Sequence, residues 1–175
     1  MNNTKTIFKS LLIMIVAISL FTVSCSKDEG GTKTPTNPTI VKVSADNITQ
    51  TLKGLGQLKD TDPSQTLILD FETMTEPANG SAEISGANKS FVKVKTALIE
   101  VFKVQQNIVT VTTDLTDSTS QPKGSSVLEV NITFKANSGF EFDTTITDNS
   151  KYTYDGTAKT AKLTLKITPA NPWEA

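Results

Sequence analysis

Few side chains in this sequence can do chemistry, and their types narrow what that chemistry is. Carboxylates pair twice, Asp70 with Glu72 and Glu141 with Asp143. At that spacing two acids share one face of a strand. They can act as general acid and base if their surroundings drive their pKa values apart. The simpler reading is a solvated face turned away from the core. The loop Asp114-Leu115-Thr116-Asp117-Ser118 offers oxygens to a cation. Ca²⁺ asks for roughly six to eight of them, however, and the EF-hand spacing and glycine are missing. Ser90 and Lys93 form an S-x-x-K string, the arrangement in which a lysine activates a serine nucleophile. The S-D-N and K-T-G elements that accompany it are absent from the chain, so chance is the simpler account.

Absent residue types exclude more. The chain has 175 residues, no His, one Cys, and 17 basic residues that are all Lys. Without His there is no Ser-His-Asp or Cys-His catalysis and no imidazole metal site. One Cys makes no internal disulfide and no thiolate cage. Without Arg there is no bidentate fork for phosphate or guanine. The formal net charge of -1 gives no general attraction to nucleic acid. No cofactor and no metal are expected.

The single Cys25 is the most informative residue. Lys5 and Lys9 precede an apolar run over residues 11–23, followed by Ser24 and Cys25. A basic start, a short apolar segment and a small residue before a cut describe a secretory signal peptide. About 13 apolar residues fall short of the roughly 20 that cross a bilayer. The stretch Thr22-Val23-Ser24-Cys25 resembles the lipobox of bacterial lipoproteins. The resemblance implies that residues 1–24 are removed and that Cys25 becomes an acylated N-terminus. It also accounts for a lone cysteine, since a thiol used for lipid needs no disulfide partner. Two or more acyl chains anchor stably where one does not. Next come Lys27, Asp28 and Glu29, which resemble the surface-export signal of some Gram-negative lipoproteins. A charged, solvated tether is the alternative for these three.

Residues 25–39 read as the lipidated cysteine and its tether. Residues 26–39 hold two Gly, two Pro and four Thr and no large apolar side chain, too little apolar surface to offset ordering entropy. Such a segment reaches roughly 20 Å when flexible and at most about 45 Å extended. Residues 40–175 then form a single domain, with 13 Lys against 16 acids and a charge of -3.

The elements that position its side chains are clearest in the C-terminal half. Leu128, Val130, Ile132 and Phe134 alternate with Glu129, Asn131, Thr133 and Lys135, the period of a strand with one buried side. Ala161, Leu163, Leu165 and Ile167 alternate in the same way before Pro169. Between them, Asn137-Ser138-Gly139 and Asp155-Gly156 mark turns. Strands are also expected over 66–72, 81–85 and 107–115. Over 90–106, Phe91, Val94, Leu98, Val101, Phe102 and Gln105 fall at helical spacing behind Ser90 as a cap. Val92, Thr96, Ile99 and Val104 are β-branched and favour a strand. A shorter helix is expected over 46–55. The fold expected is α+β, a single β-rich domain dominated by antiparallel sheet with one or two short helices. If 90–106 were strand, an all-β sandwich would replace it.

Tyr152, Tyr154 and Trp173 are the aromatic candidates for contact with sugars or proteins; packing within the domain is their alternative role. Together these features describe a lipid-anchored bacterial envelope protein at the outer membrane or cell surface. It would be non-enzymatic and would bind or adhere to a host or envelope protein or a glycan, with no nucleic-acid partner. A structural or accessory envelope protein is the alternative, and a carboxylate-only hydrolase a further one.

Overall fold

Alternation at period two becomes the centre of the structure. The computed structural model describes residues 39–59, 67–87, 90–103 and 108–174. In chain order these form β1 (Val41–Val43), α1 (Ala45–Lys53), β2 (Gln57–Lys59), β3 (Leu67–Asp70), a 3-10 turn (Phe71–Thr73) and β4 (Ser81–Ala87). There follow α2 (Phe91–Phe102), β5 (Val109–Thr113), β6 (Leu128–Ala136), β7 (Phe140–Phe142), α3 (Thr144–Thr147), β8 (Thr153–Asp155) and β9 (Thr160–Pro169). The architecture is α+β. A mixed five-stranded sheet runs β4-β9-β6-β5, with β8 also paired to β9. Val41–Ala175 forms one compact unit.

Antiparallel pairing predominates, as the alternation predicts, in β5–β6, β6–β9 and β8–β9. β4 is the exception and runs parallel to β9. β8 pairs with Thr160–Lys162 and β4 with Thr164–Pro169, while β6 spans the other side of β9. The two short strands therefore lie end to end along one edge of β9. Their junction is Asn79-Gly80, a two-residue turn between Ala78 and Ser81 in which both φ angles are positive (51° and 74°). Gly80 donates its N–H to the Ser150 carbonyl and accepts from the Thr164 N–H. A Cβ there would lie 2.8 Å from Thr153 Oγ1, so only glycine combines this φ with this approach.

One face of the sheet is the core. Leu128, Val130, Ile132 and Phe134 of β6 are at most 4 % exposed, and Ala161, Leu163, Leu165 and Ile167 of β9 at most 1 %. α1 and α2 meet this face: Leu52, Phe102, Val111 and Phe134 line one small apolar cavity. α2 settles Phe91–Phe102 of the ambiguous 90–106 segment as a helix, while 104–106 lie outside the described residues. Its stripe Phe91, Val94, Leu98 and Phe102 is buried, and that burial outweighs the modest helix cost of the β-branched residues, which fall mainly on other faces. Ser90 caps its start. At α1 the Ser44 cap forms a full capping box with Asn47, and Ile48 and Leu52 are buried.

Two details depart from the expected local geometry. β3 stops at Asp70, and Phe71 turns inward through the 3-10 turn, fully buried and edge-on to Phe102 at 6.3 Å. Asp70 and Glu72 therefore do not share a strand face. The β8–β9 hairpin closes at Asp155↔Thr160 with four loop residues rather than two. The Asp155 carboxylate caps it by accepting from the N–H groups of Thr157 and Ala158, both at 2.9 Å, and Lys159 rather than Gly156 takes the left-handed position.

Candidate functional site

Cys25, Lys27, Asp28 and Glu29 lie outside the described residues. The three aromatic candidates are described, and each ring packs edge-on against a phenylalanine of the domain. Tyr152 is 2 % exposed. Its ring stands edge-on to Phe134 at 6.0 Å, and its hydroxyl shares a hydrogen bond of 3.1 Å with Thr49, the one buried polar residue among those described. Tyr154 is half-buried against Phe142 at 6.1 Å. Trp173 is 6 % exposed, edge-on to Phe91 at 6.0 Å, and donates Nε1–H to the Ser126 carbonyl at 2.8 Å. The tyrosines form no exposed platform, and Trp173 packs rather than projecting.

Burial pushes the Tyr152 hydroxyl up to about 12, with Glu76 and Asp46 adding to the shift and the Thr49 hydrogen bond opposing it. The folded domain therefore keeps a proton that the unfolded chain loses near pH 10. Stability from this group is whole below pH 10 and drains away as pH rises through about 12, by about 2 to 3 kcal/mol in all. Tyr152→Phe should flatten this part of the alkaline stability curve, as urea midpoints measured across that window will show. An unchanged slope would remove Tyr152 as its source.

Four of the candidate carboxylates, Asp70, Asp114, Glu141 and Asp143, have local partners. Asp70 accepts from the Glu72 N–H and from Gln57 Nε2. Asp143 caps α3 by accepting from the Thr145 N–H at 2.9 Å, and Glu141 pairs with Lys42. Asp114 accepts from both the N–H and the side-chain amide of Asn131, at 2.9 and 2.7 Å. Its loop has become a strand-end fastening, and no group of three metal-ligating side chains occurs among the described residues. Ser90 Oγ accepts from the Lys93 N–H as a helix cap, a sufficient reason for a serine at that position.

What the fold does bring together lies at the two ends of β6. At its C-terminal end, the Val41 N–H donates to the Gly139 carbonyl, so the chain enters the domain beside the 137–139 turn. At its N-terminal end, roughly 27 to 30 Å away for nine extended residues, sits the long β5–β6 connection, residues 114–127. That loop carries Thr116, Ser118, Thr119, Ser120, Ser125 and Ser126 around Pro122 and Gly124. Most of these side chains are exposed, yet the loop is well fastened. The Thr116 N–H donates to Thr119 Oγ1, and Lys95 Nζ donates to the Asp117 carbonyl at 2.8 Å while lying 5.3 Å over the Phe91 ring. Trp173 donates its N–H to the Gly124 carbonyl and accepts from Gln121 Nε2, and the Glu174 carbonyl accepts from the Phe91 N–H. Leu115 plugs the base of the loop, 6 % exposed.

The outer sheet face is the second surface. Registered rows cross it: Glu83–Lys166–Glu129, then Ser81–Thr164–Asn131, then Thr153–Lys162–Thr133–Thr112. Thr164 Oγ1 donates to Asn131 Oδ1 at 2.9 Å. This face is hydroxylated and interspersed with both charges. Sequence reasoning located it through alternation, but it missed the fastened loop, whose holders Lys95 and Trp173 are distant in sequence. The run of Ser and Thr around Pro122 is the one local signal for it. No protein-family model matches the sequence, no curated protein matches it, and no solved structure matches the fold.

Proposed function

We propose that this chain is a lipid-anchored bacterial envelope protein whose domain is a non-enzymatic binding module for a protein or glycan. The observation that supports it best is the polarity of the domain: the chain enters at one end of β6, and an ordered, hydroxyl-rich loop stands at the other. A rigid scaffold that holds out a polar loop is how binding surfaces are commonly built. Cys25 supplies the anchor, residues 26–39 the tether, and Lys27, Asp28 and Glu29 the export address. The acids engaged in caps and pairs favour binding over carboxylate catalysis, and the excess of acids over lysines disfavours nucleic acid.

Cys25→Ala should abolish incorporation of labelled palmitate and move the protein from the membrane fraction to the soluble fraction. Full membrane retention without the cysteine would overturn the anchor. Crosslinking on intact cells then tests the module. A partner captured through loop 116–126 and lost when those residues are replaced by a short Gly-Ser linker supports binding. Failure to capture any partner favours a structural envelope role.

A further inference from the structure

The way the chain enters the domain points to a mechanical role for β1. β1 is three residues long and pairs only with β7, in parallel and outside the main sheet. Its fastenings are the Val41 N–H to the Gly139 carbonyl at 2.9 Å, the Asp143 N–H to the Val43 carbonyl at 3.0 Å, and the Lys42–Glu141 ion pair. Just beyond it, the Ala45 N–H donates to Thr145 Oγ1 at 2.8 Å. β7 leads from the 137–139 turn back towards the loop end. Its last residue, Phe142, meets Tyr154, which stands opposite Ala161, itself opposite Phe134 two residues inside the end of β6. β1, being parallel, has its first residue at the entry end and points towards the loop end.

We infer that β1 and β7 form a shear clamp that holds the domain to its anchor when a partner pulls on the loop end. The source of that load rests on the anchored-module reading; the clamp geometry does not. A pull on the tether, opposed at the far end of β6, acts along β1. The hydrogen bonds of a parallel pair are evenly spaced and slanted, bridging the two strands along their whole overlap, so a pull along β1 shears them together. A pull from the 137–139 turn would instead open the same bonds one after another. The three-residue pair is then strong in the single direction in which an anchored domain is stretched, and weak in the other.

The test is single-molecule pulling on the full chain carrying Cys25→Ala, with handles attached through introduced cysteines. One geometry uses Thr39→Cys with Val127→Cys, at the start of β6. The other uses Thr39→Cys with Ser138→Cys, in the turn beside β1. The first rupture should need a clearly higher force in the Val127 geometry, where the bonds between β1 and β7 are loaded together, than in the Ser138 geometry, where they open in turn. Val41→Pro, which removes the N–H bonded to Gly139, should lower the force in the Val127 geometry. Equal forces in the two geometries, or no effect of Val41→Pro, would overturn the clamp. Because no lipid takes part, failure of the Cys25 reading leaves this result untouched, and failure of the clamp leaves the anchor standing.

Discussion

Leu165→Ala is expected to lower the unfolding free energy by about 2 to 5 kcal/mol, a large share of the roughly 5 to 15 kcal/mol that a domain of this size holds. Leu165 is fully buried on the long strand β9, opposite Val130 of β6 on one side and Ala82 of β4 on the other. It is flanked by strands that are themselves fixed by eight and six registered pairs. The backbone cannot close around the missing atoms, so the cavity term adds to the lost transfer energy. Urea unfolding followed by far-ultraviolet circular dichroism measures the effect, which should appear as a lower midpoint with an unchanged slope. Thr164→Ala, one residue away on the outer face, removes a hydrogen bond to Asn131 and should cost about 1 kcal/mol. Similar losses at the two positions would mean that the inner face is not the core.

Trp173→Ala should rank beside it, at about 3 to 5 kcal/mol. The indole fills the gap between α2 and the 114–127 loop, and Phe91 and the Ser126 carbonyl each lose a partner when it goes. Trp173→Phe keeps a ring against Phe91 and removes only the Nε1 donor, so its cost falls to about 1 to 3 kcal/mol. The order of the two variants in urea midpoint separates packing from hydrogen bonding. Because Trp173 is the single tryptophan of the chain, wild-type fluorescence reports the state of the loop end directly. A blue-shifted emission that shifts red together with global unfolding is expected. An emission already red in the native state would contradict its burial.

How far the sequence revealed this fold depended on whether the information was local. Strands β6 and β9 were legible because alternation at period two depends only on neighbours, and all eight inward positions are buried. α2 was legible in its apolar stripe and its Ser90 cap but stayed ambiguous, because the competing β propensity of Val92, Thr96 and Ile99 is overruled only by burial against distant elements. The end of β3 was not legible. Phe71 leaves the strand to reach Phe102, a residue with no sequence relation to it. The parallel seating of β4 on β9 was hidden for the same reason. At the candidate surfaces, the outer face followed from the alternation. The loop did not, because Lys95 and Trp173 reach it from two separate parts of the chain. Two apart in sequence, Tyr152 and Tyr154 would share one strand face, but β8 starts at Thr153 and their rings turn to different phenylalanines, Phe134 and Phe142.

The pairing of β1 with β7 also sets an order of events. Lys42 and Glu141 stand 99 residues apart, and any chain delivered N-terminus first offers β1 long before its partner. Local hairpins such as β8–β9 can close as they arrive, whereas contacts this distant wait on the rest of the chain. The first strand of the domain to emerge is therefore fastened only after about a hundred further residues have followed it. Until Phe142 is present, β1 has no partner strand among the described residues, and the first strand of the domain stays unpaired.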